Sequence, residues 1–329
     1  MCRTANGYDI NGFGQLKDGR GNICPVTIIL PTIAMEAVEN PQFFVEKNGR
    51  KILSSDNEII KFMNLLDQKI HEAKDMLIER FEWICSQKPE SAKFMYENNV
   101  MAGYDGKDIR SALKHGTLAI GQLGLAECLQ ILIGCDHTEE RGMELAKKIE
   151  GLFKKRCAEF KEEYKLNFGV YFTPSENLCY TAMQKFQNKY GEIPNVSDKS
   201  FFTNSMHVPV WKEMTPFEKI DIESQLTGYS SAGCITYVEL DESAKHNIDA
   251  LEMLVNYAMD KDIPYFAINV PNDMCTECGY TDEINDKCPK CGSDKIKRLR
   301  RVTGYLTNDY KTAFNKGKQQ EVEMRVKHE

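Results

Sequence analysis

The sequence predicts an α/β fold whose strands are mostly parallel, and three observations support this prediction. Segments typical of strands and of helices alternate along most of the 329 residues. The strand segments are short runs rich in β-branched residues, and the helix segments carry apolar residues three and four positions apart. The composition, with 42% hydrophobic and 28% charged residues, is that of an ordinary globular protein.

The first half of the chain is predicted to contain one strand and three helices. The continuous apolar run 26–30, which ends at Pro31, indicates a buried strand. Residues 55–58 form a capping box, and the helix that they open keeps its apolar residues on one face as far as Ile84. Two further helices are predicted over 118–133 and over 139–164.

The second half of the chain is predicted to continue the alternation. Helices are expected to begin at Thr173 and at Thr215, because each threonine opens the same Thr-Pro-x-Glu pattern, with Thr as N-cap and Pro as first helical residue. The other expected elements before residue 271 are strands over 168–172, 233–240 and 265–270 and a helix over 243–261. After Val270 a metal-type module, a basic stretch and a polar tail follow.

Charge and hydropathy exclude two classes of protein. The net charge of −7 argues against a uniformly basic nucleic-acid-binding protein. A mean hydropathy of −0.47 and the absence of a long uncharged apolar run argue against a membrane span. No cationic and then apolar leader opens the sequence, so we expect no secretory signal and a cytoplasmic location.

Four of the twelve cysteines form a metal-binding pattern. Cys275 and Cys278 make one Cys-x-x-Cys pair, and Cys288 and Cys291 make a second pair after nine intervening residues. Two such knuckles supply the four thiolates that tetrahedral zinc requires, and no ligand position is left open for catalysis, so we expect a structural zinc ion. The opposing interpretation is a pair of redox dithiols or unpaired thiols.

The other eight cysteines are scattered singly, which fits reduced thiols in a cytosol better than a secreted disulfide scaffold. Four of them lie in apolar patterns and are expected to pack as small hydrophobic side chains: Cys128, Cys135, Cys157 and Cys234.

A basic stretch follows the cysteine module and leaves an alternative function open. Five of the seven residues over 295–301 are basic, and such a cluster can contact phosphates. A zinc ribbon that binds nucleic acid or protein is therefore the alternative hypothesis, although a solvated charged face is the commoner explanation of such a run. The five residues are Lys295, Lys297, Arg298, Arg300 and Arg301.

The segment that follows closely resembles the glycyl-radical loop of anaerobic (class III) ribonucleoside-triphosphate reductases. The loop is Arg-Arg-Val-Thr-Gly-Tyr-Leu over 300–306, and the resemblance extends, in the same order, over essentially the whole chain. The other matching motifs are Gly-Arg-Gly-Asn over 19–22, Leu-Pro-x-Ile-Ala over 30–34, His-Gly-Thr-Leu-Ala-Ile-Gly over 115–121, Thr-Asn-Ser-Met-His-Val-Pro-Val over 203–210, the two cysteine knuckles, and Arg-Val-Lys-His over 325–328.

The resemblance implies two radical residues and one substrate contact. Gly304 is the expected glycyl radical, and glycine suits this role because its α-radical can become planar without a Cβ clash. Cys2, which precedes Arg3 upstream of the Gly-Arg-Gly-Asn stretch, matches the thiyl cysteine, with Cys24 as its rival. Asn22 is the expected contact to the ribose hydroxyls, and a role in a surface turn is the alternative for this residue.

The resemblance further implies a reaction, cofactors and partners. A radical-SAM activase would use S-adenosylmethionine to generate the radical at Gly304, which would take hydrogen from Cys2. The thiyl would then act on a ribonucleoside triphosphate to form the deoxyribonucleotide used in DNA replication, with electrons from formate or a thiol reductant. The complete enzyme is expected to be a homodimer that binds neither membrane nor nucleic acid. Another glycyl radical enzyme is a further alternative, but the pyruvate-cleaving type carries adjacent cysteines that this sequence lacks.

The implied architecture is half of a ten-stranded α/β glycyl-radical-enzyme barrel, with a small four-Cys zinc module and a C-terminal radical loop. We expect a finger loop with the thiyl cysteine over 1–25, the second half-barrel over 26–271, the zinc module over 272–293, and the radical loop and tail over 294–329. The family's large subunit is about twice this length. The sequence is therefore expected to be either the downstream piece of a split or interrupted gene, with an N-terminal fragment of the same reductase supplying the first half-barrel, or a truncated part of a longer sequence.

Overall fold

A computed structural model of the chain describes residues 4–38, 56–98, 100–302, 305–307 and 309–328. These residues form two compact units. The first unit contains residues 4–173 together with Gly228–Cys234, and the second contains Pro174–Thr227 together with residues 235–328.

The first unit is built on a parallel sheet of three strands in the order β1-β2-β3. Every residue of the central strand β2 is buried. A Cβ atom at Gly121 in this strand would lie 2.0 Å from Oγ1 of Thr173, so the packing here requires glycine. The strands are β1 (Asn22–Ile29), β2 (Thr117–Leu123) and β3 (Asn167–Tyr171).

Two long helices cover this sheet, and both were predicted. The long helix α2 buries Leu66, Ile70 and Ala73 at spacings of four and three, which confirms its one-sided apolar face. The second long helix, α6, packs against β3. The six helices of the unit are α1 (Leu30–Ala37), α2 (Asp56–Cys85), α3 (Lys93–Glu97), α4 (Ile109–Leu113), α5 (Leu125–Ile133) and α6 (Glu140–Tyr164).

The helix predicted over 118–133 is wrong in its first half. Thr117–Leu123 is the central strand, and the helix α5 begins only at Leu125, after Gly124 adopts a left-handed φ of 78°. A strand buried on both faces has a continuous apolar sequence, which periodicity alone does not distinguish from a buried helix. The predicted strand over 26–30 begins earlier, at Asn22, and Leu30 opens α1 with Pro31 in its first turn.

The second unit begins with three helices and a parallel pair of strands, β4 (Thr236–Glu239) and β5 (Phe266–Asn269). The helices are α7 (Glu176–Tyr190), α8 (Pro216–Thr227) and α9 (Ile248–Asp260), the last preceded by a 3₁₀ turn at Glu242–His246. The parallel pair packs against α8 and α9 around Ile220, Val238 and Leu254. The predicted α/β class is therefore confirmed.

The two Thr-Pro-x-Glu patterns behave differently. At Thr215 the prediction is confirmed, because the Thr215 amide donates to Oε2 of Glu218 at 2.7 Å and the Glu218 amide donates to Oγ1 of Thr215 at 3.2 Å. The helix predicted to begin after Thr173 begins two residues later than expected, at Glu176 with Ser175 as N-cap. The same four-residue pattern thus begins a helix at the predicted residue only in the second case.

An antiparallel sheet in the order β7-β6-β8-β9 follows in the second unit. Its strands are β6 (Asn272–Cys275), β7 (Thr281–Asp282), β8 (Ile296–Val302) and β9 (Tyr305–Thr307). Two helices complete the unit, α10 (Tyr310–Ala313) and α11 (Lys316–Met324). Among the residues described, none of the helices has the length and apolar character needed to cross a membrane.

Candidate functional site

The four cysteines of the two knuckles come together as predicted. All four Sγ atoms lie within 4.8 Å of one another, with 3.5 Å between Cys275 and Cys291 and 3.6 Å between Cys278 and Cys288. Tetrahedral zinc with Zn–S bonds of about 2.3 Å requires sulfurs roughly 3.8 Å apart. The residues present therefore fit a structural zinc ion.

Local backbone geometry explains why the knuckles form. Gly279 and Gly292 follow the second cysteine of each pair with φ angles of 71° and 74°, a conformation that favours glycine. Their amides donate to the carbonyls of Cys275 and Cys288 at 3.0 Å and 2.8 Å, which closes each turn. Ile284 packs beside the buried sulfurs and gives the module its small core.

The four thiols also differ electrostatically. Backbone amides of Cys278 and Glu277 donate to the Cys275 sulfur and lower the pKa of this thiol to about 7. At Cys291 the Ser293 amide favours the thiolate, but the neighbouring cysteine sulfurs raise the pKa of Cys291 to about 12. Four negative sulfurs at this separation repel one another, so a cation is needed to keep all of them deprotonated.

The buried carboxylate of Asp273 forms ion pairs with two arginines of the basic stretch. Arg298 and Arg300 place Nη1 atoms 3.1 Å and 2.5 Å from its two carboxylate oxygens. The Ile284 amide donates to the same carboxylate at 3.1 Å. Asp273 thereby joins β8 to the cysteine module.

Two further basic side chains also contact neighbours within the unit. Lys295 pairs with Glu277 at 2.6 Å, and the Arg301 guanidinium lies 5.4 Å from the centre of the Tyr237 ring. A basic surface that binds phosphates needs charges free to leave their intramolecular partners. The geometry therefore does not favour the nucleic-acid-binding alternative.

The strands β8 and β9 flank the predicted radical position in the sequence. Arg301 pairs with Leu306 and Val302 pairs with Tyr305, so the strands are registered on both sides of Gly304. Val302 is fully buried. Gly304 itself lies outside the described residues, and so does Cys2.

The segment that follows Cys2 is held by a buried polar cluster. Asp9 lies 2.7 Å from Nδ1 of His115 and accepts a hydrogen bond from Nδ2 of Asn167 at 2.6 Å. Phe13 stacks on the His115 ring with 3.8 Å between centroids. Burial alone would raise the pKa of Asp9, but the hydrogen bonds from Asn167 and His115 hold it well below its usual range. The sequence showed no sign of this cluster beyond the His-Gly motif at 115–116.

Asn22 begins β1, and its Nδ2 donates to the Ala232 carbonyl at 3.1 Å. Its Oδ1 atom is buried and accepts no hydrogen bond from the residues that the structure describes. The rival cysteine, Cys24, is half-buried in β1 with a φ of 48°, beside a register irregularity between Ile23 and Val26.

A second polar cluster in the second unit was not anticipated. Glu223 accepts hydrogen bonds from the Val208 amide at 3.1 Å and from Lys219, and lies 3.3 Å from Nδ1 of His207. Burial alone would raise the pKa of Glu223, but the charges of Lys219 and His207 hold it well below its usual range. The adjoining cavity of about 40 Å³ is too small for a nucleotide, which needs several hundred Å³.

Comparisons with known proteins identify relatives along the whole chain. A family model described as "Anaerobic ribonucleoside-triphosphate reductase" matches residues 1–328. The anaerobic ribonucleoside-triphosphate reductase of Escherichia coli K12 is 33% identical over 346 residues, which cover 99% of this chain and 45% of the relative. The enzyme of the same name from enterobacteria phage T4 is 32% identical, covering 96% of this chain and 50% of the relative. The chain thus spans about half the length of these relatives.

Solved structures show the same fold. An anaerobic ribonucleotide reductase superimposes with a TM-score of 0.73 at 23% identity, covering 94% of this chain and 45% of that chain. The anaerobic ribonucleotide reductase from Thermotoga maritima with MES in the active site superimposes with a TM-score of 0.67 at 21% identity, covering 93% and 46%.

Proposed function

The chain belongs to the anaerobic ribonucleoside-triphosphate reductase family, and on that premise we propose that it is the C-terminal portion of an oxygen-sensitive ribonucleotide reductase. The observation that carries the proposal is the direct continuity between the four-Cys cluster and the β8–β9 hairpin that brackets Gly304. The cysteine module and Asp273 hold one end of β8, and the turn with the radical glycine follows the other end.

In the proposed mechanism Gly304 stores the radical and Cys2 transmits it. The Gly304 radical takes the thiol hydrogen of Cys2, and the resulting thiyl abstracts the 3′-hydrogen of a ribonucleoside triphosphate. Water leaves from C2′, and two electrons from formate or a thiol reductant arrive together with the two protons that balance them. Cys2 then returns its hydrogen to C3′, and the thiyl left on Cys2 takes the hydrogen back from the α-carbon of Gly304, which restores the glycyl radical. Asn22 contributes the free Oδ1 acceptor for a ribose hydroxyl.

The cofactors follow from the same assignment. A zinc ion held by the four cysteines would be structural, because four protein ligands leave no position for substrate. A radical-SAM activase with S-adenosylmethionine would remove the α-hydrogen of Gly304. The cytoplasm, where thiols stay reduced, suits the cysteines scattered along the chain. The four that were expected to pack as small hydrophobic side chains are all buried: Cys128, Cys135, Cys157 and Cys234.

An N-terminal fragment of the same reductase is the proposed partner. The parallel sheet of the first unit has three strands, fewer than a closed barrel needs. β1 lies at the edge of its sheet, and most of its residues are only half-buried. Such an edge offers unpaired backbone groups to a further strand, which the first half-barrel would supply. The complete enzyme is proposed to be a homodimer.

The proposal is tested by assembling the chain anaerobically with the upstream fragment, the activase, S-adenosylmethionine and a reductant. We expect an EPR doublet from Gly304, reduction of ribonucleoside triphosphates, and backbone cleavage at Gly304 on exposure to oxygen. Gly304→Ala should abolish all three. Gly228→Ala is the matched control, because a Cβ there meets no atom within 4 Å. An oxygen-stable complex without an EPR signal contradicts the radical assignment, and turnover by the lone chain contradicts the need for a fragment.

A further inference from the structure

One guanidinium, that of Arg325, connects three elements of the second unit. Its Nη1 atom lies 2.6 Å from the carbonyl oxygen of Arg301 in β8 and 3.0 Å from Oε1 of Glu239 in β4. Its Nη2 atom lies 3.2 Å from Oε1 of Glu321 in α11. The side chain is only 13% exposed, so its two charge-assisted hydrogen bonds and its ion pair with Glu239 are largely shielded from water.

The backbone around Arg325 is fixed on both sides. On its C-terminal side the Val326 amide donates to the Val210 carbonyl at 3.0 Å, and the His328 amide donates to the Glu239 carbonyl at 2.8 Å. The Glu239 amide in turn donates to Nδ1 of His328 at 2.8 Å. We call Arg325, Val326 and His328 the C-terminal clamp.

On the N-terminal side, α11 is itself held in place. The fully buried Lys318 pairs with Glu321 at 2.9 Å, and the Ser200 amide donates to Oε1 of Gln320 at 2.7 Å. The side chain of Arg325 therefore extends to β8 from a backbone segment that hydrogen bonds and ion pairs hold on both sides.

The contact between Arg325 and the Arg301 carbonyl lies close in sequence to the proposed radical position. Arg301 precedes Gly304 by three residues and pairs with Leu306 in the short hairpin β8–β9. The first part of β8 pairs with β6 as far as Leu299, whereas among the described strands residues 300–302 pair only with β9. This end of the sheet is therefore a two-stranded ribbon of three residue pairs, and such a ribbon is marginally stable without further support. Hydrogen transfer to a cysteine demands close approach of the two reacting atoms, so a loose hairpin would lower its rate.

We propose that Arg325 is a positioning residue for the radical loop, holding the β8–β9 hairpin through the Arg301 carbonyl while Glu239 and Glu321 orient its guanidinium. This role rests on the proposed function of Gly304. Arginine is required because its planar fork donates to the Arg301 carbonyl and to Glu321 while it pairs with Glu239, whereas the lysine ammonium is a single point charge on a flexible stem.

The test compares Arg325→Lys with wild type and with Lys327→Ala in the assembled enzyme. Lysine keeps a positive charge beside Glu239 and Glu321, so the fold is retained. Lys327 lies next to the clamp and pairs only with Glu283 among the contacts described, which makes its variant the matched control. Zinc content and thermal midpoint are measured for all three proteins to compare their global fold.

Two readouts follow, one of which needs no radical. Amide exchange over 299–307 should be at least about tenfold faster in Arg325→Lys before activation, because a hydrogen bond from a charged group is lost. After activation, the glycyl EPR signal per zinc should fall at least about fivefold, and Lys327→Ala should match wild type in both measurements. Unchanged exchange and signal in Arg325→Lys overturn the proposal.

Failure of the proposed function gives a different result, since wild type then shows no glycyl signal although Arg325→Lys still accelerates exchange. If Arg325→Lys does not fold, amide exchange of the wild-type protein in increasing denaturant tests the proposal instead. If the clamp holds the hairpin, the amides of β9 and those of Val326 and His328 should begin to exchange in the same range of denaturant concentration. Opening of the clamp well before β9 overturns the proposal.

Discussion

The carboxylate of Asp9 lies 2.7 Å from Nδ1 of His115, a residue 106 positions further along the chain. The same carboxylate accepts hydrogen bonds from the backbone amides of Asn11 and Phe13, each at 3.0 Å. Arg20 adds a bond from Nε to the His115 carbonyl at 2.7 Å. These contacts connect the segment after Cys2 to the residues just before β2. They therefore fix residues 9–20 of the proposed finger loop relative to the sheet.

Asp9→Asn should destabilise the first unit. An amide has one acceptor oxygen, whereas the aspartate accepts from Asn167, His115 and two backbone amides, so buried donors lose their partner. We expect the free energy of unfolding to fall by about 2–3 kcal/mol, measured by urea denaturation. Asp18→Asn, on an exposed residue of the same segment, is the control and should match wild type. If the free energy of unfolding of Asp9→Asn equals that of Asp18→Asn, the cluster does not stabilise the first unit.

Cys288→Ser should lower bound zinc and loosen the module, because a hydroxyl is a poor substitute for a thiolate ligand. Elemental analysis of anaerobically purified protein gives the zinc content, and amide exchange over 272–293 reports the loosening. Cys85→Ser removes a half-buried thiol outside the cluster and should retain the metal. Metal-free wild-type protein would contradict the zinc assignment.

Cys2→Ser and Cys24→Ser distinguish the two candidates for the thiyl residue. The serine O–H bond is too strong for a glycyl radical to break, so the true thiyl position loses turnover but keeps the EPR doublet of Gly304. We expect this result for Cys2. Cys24, held at a φ of 48° in a strand of the sheet, should be replaceable with turnover retained. The reverse outcome would assign the thiyl to Cys24.

The stability of the C-terminal clamp should decrease in mild acid. Burial lowers the pKa of His328 from its ordinary value of 6.5 to about 4, and the nearby charges of Lys219 and Arg325 act in the same direction against that of Glu223. Between these values the unfolded chain binds a proton that the folded chain does not. The contribution of His328 to stability is therefore complete above pH 6.5 and is lost as the pH falls towards 4.

Urea unfolding across this pH range tests the effect of His328. His328→Asn places a non-titrating acceptor near the Glu239 amide and should flatten the decrease in stability relative to wild type. His246→Asn, on an exposed histidine of the 3₁₀ turn, should leave the wild-type slope unchanged. An identical slope in His328→Asn would show that His328 does not titrate with unfolding.

Local signals in the sequence were sufficient for several features. The spacing of the four cysteines and the glycines after them predicted a cluster whose geometry the structure confirms. The capping box at Thr215 and the periodic helix α6 also appear where expected. In each case the determining interactions join residues close together in the chain or repeat at helical spacing.

Where the sequence prediction was wrong, the deciding contacts were distant. Residues 118–123 have helix-compatible composition, yet pairing with β1 and β3 on both sides makes them a strand. Thr173 opens the same pattern as Thr215 but lies outside α7, and its Oγ1 accepts from Thr27 at 3.0 Å. Sheet pairing outweighs local propensity at 118–123 because successive residues of this central strand hydrogen-bond alternately to the two neighbouring strands and bury both faces.

The sequence by itself determined the α/β class, the metal-type cysteine pattern and, through its motifs, the reductase family. Only the tertiary structure decided which charges pair: Arg300 with Asp273 at the cysteine module, and Arg325 with Glu239 beside the radical hairpin. A motif records residue types and spacing along the chain, whereas an ion pair depends on which side chains meet after folding and on how far they are removed from water.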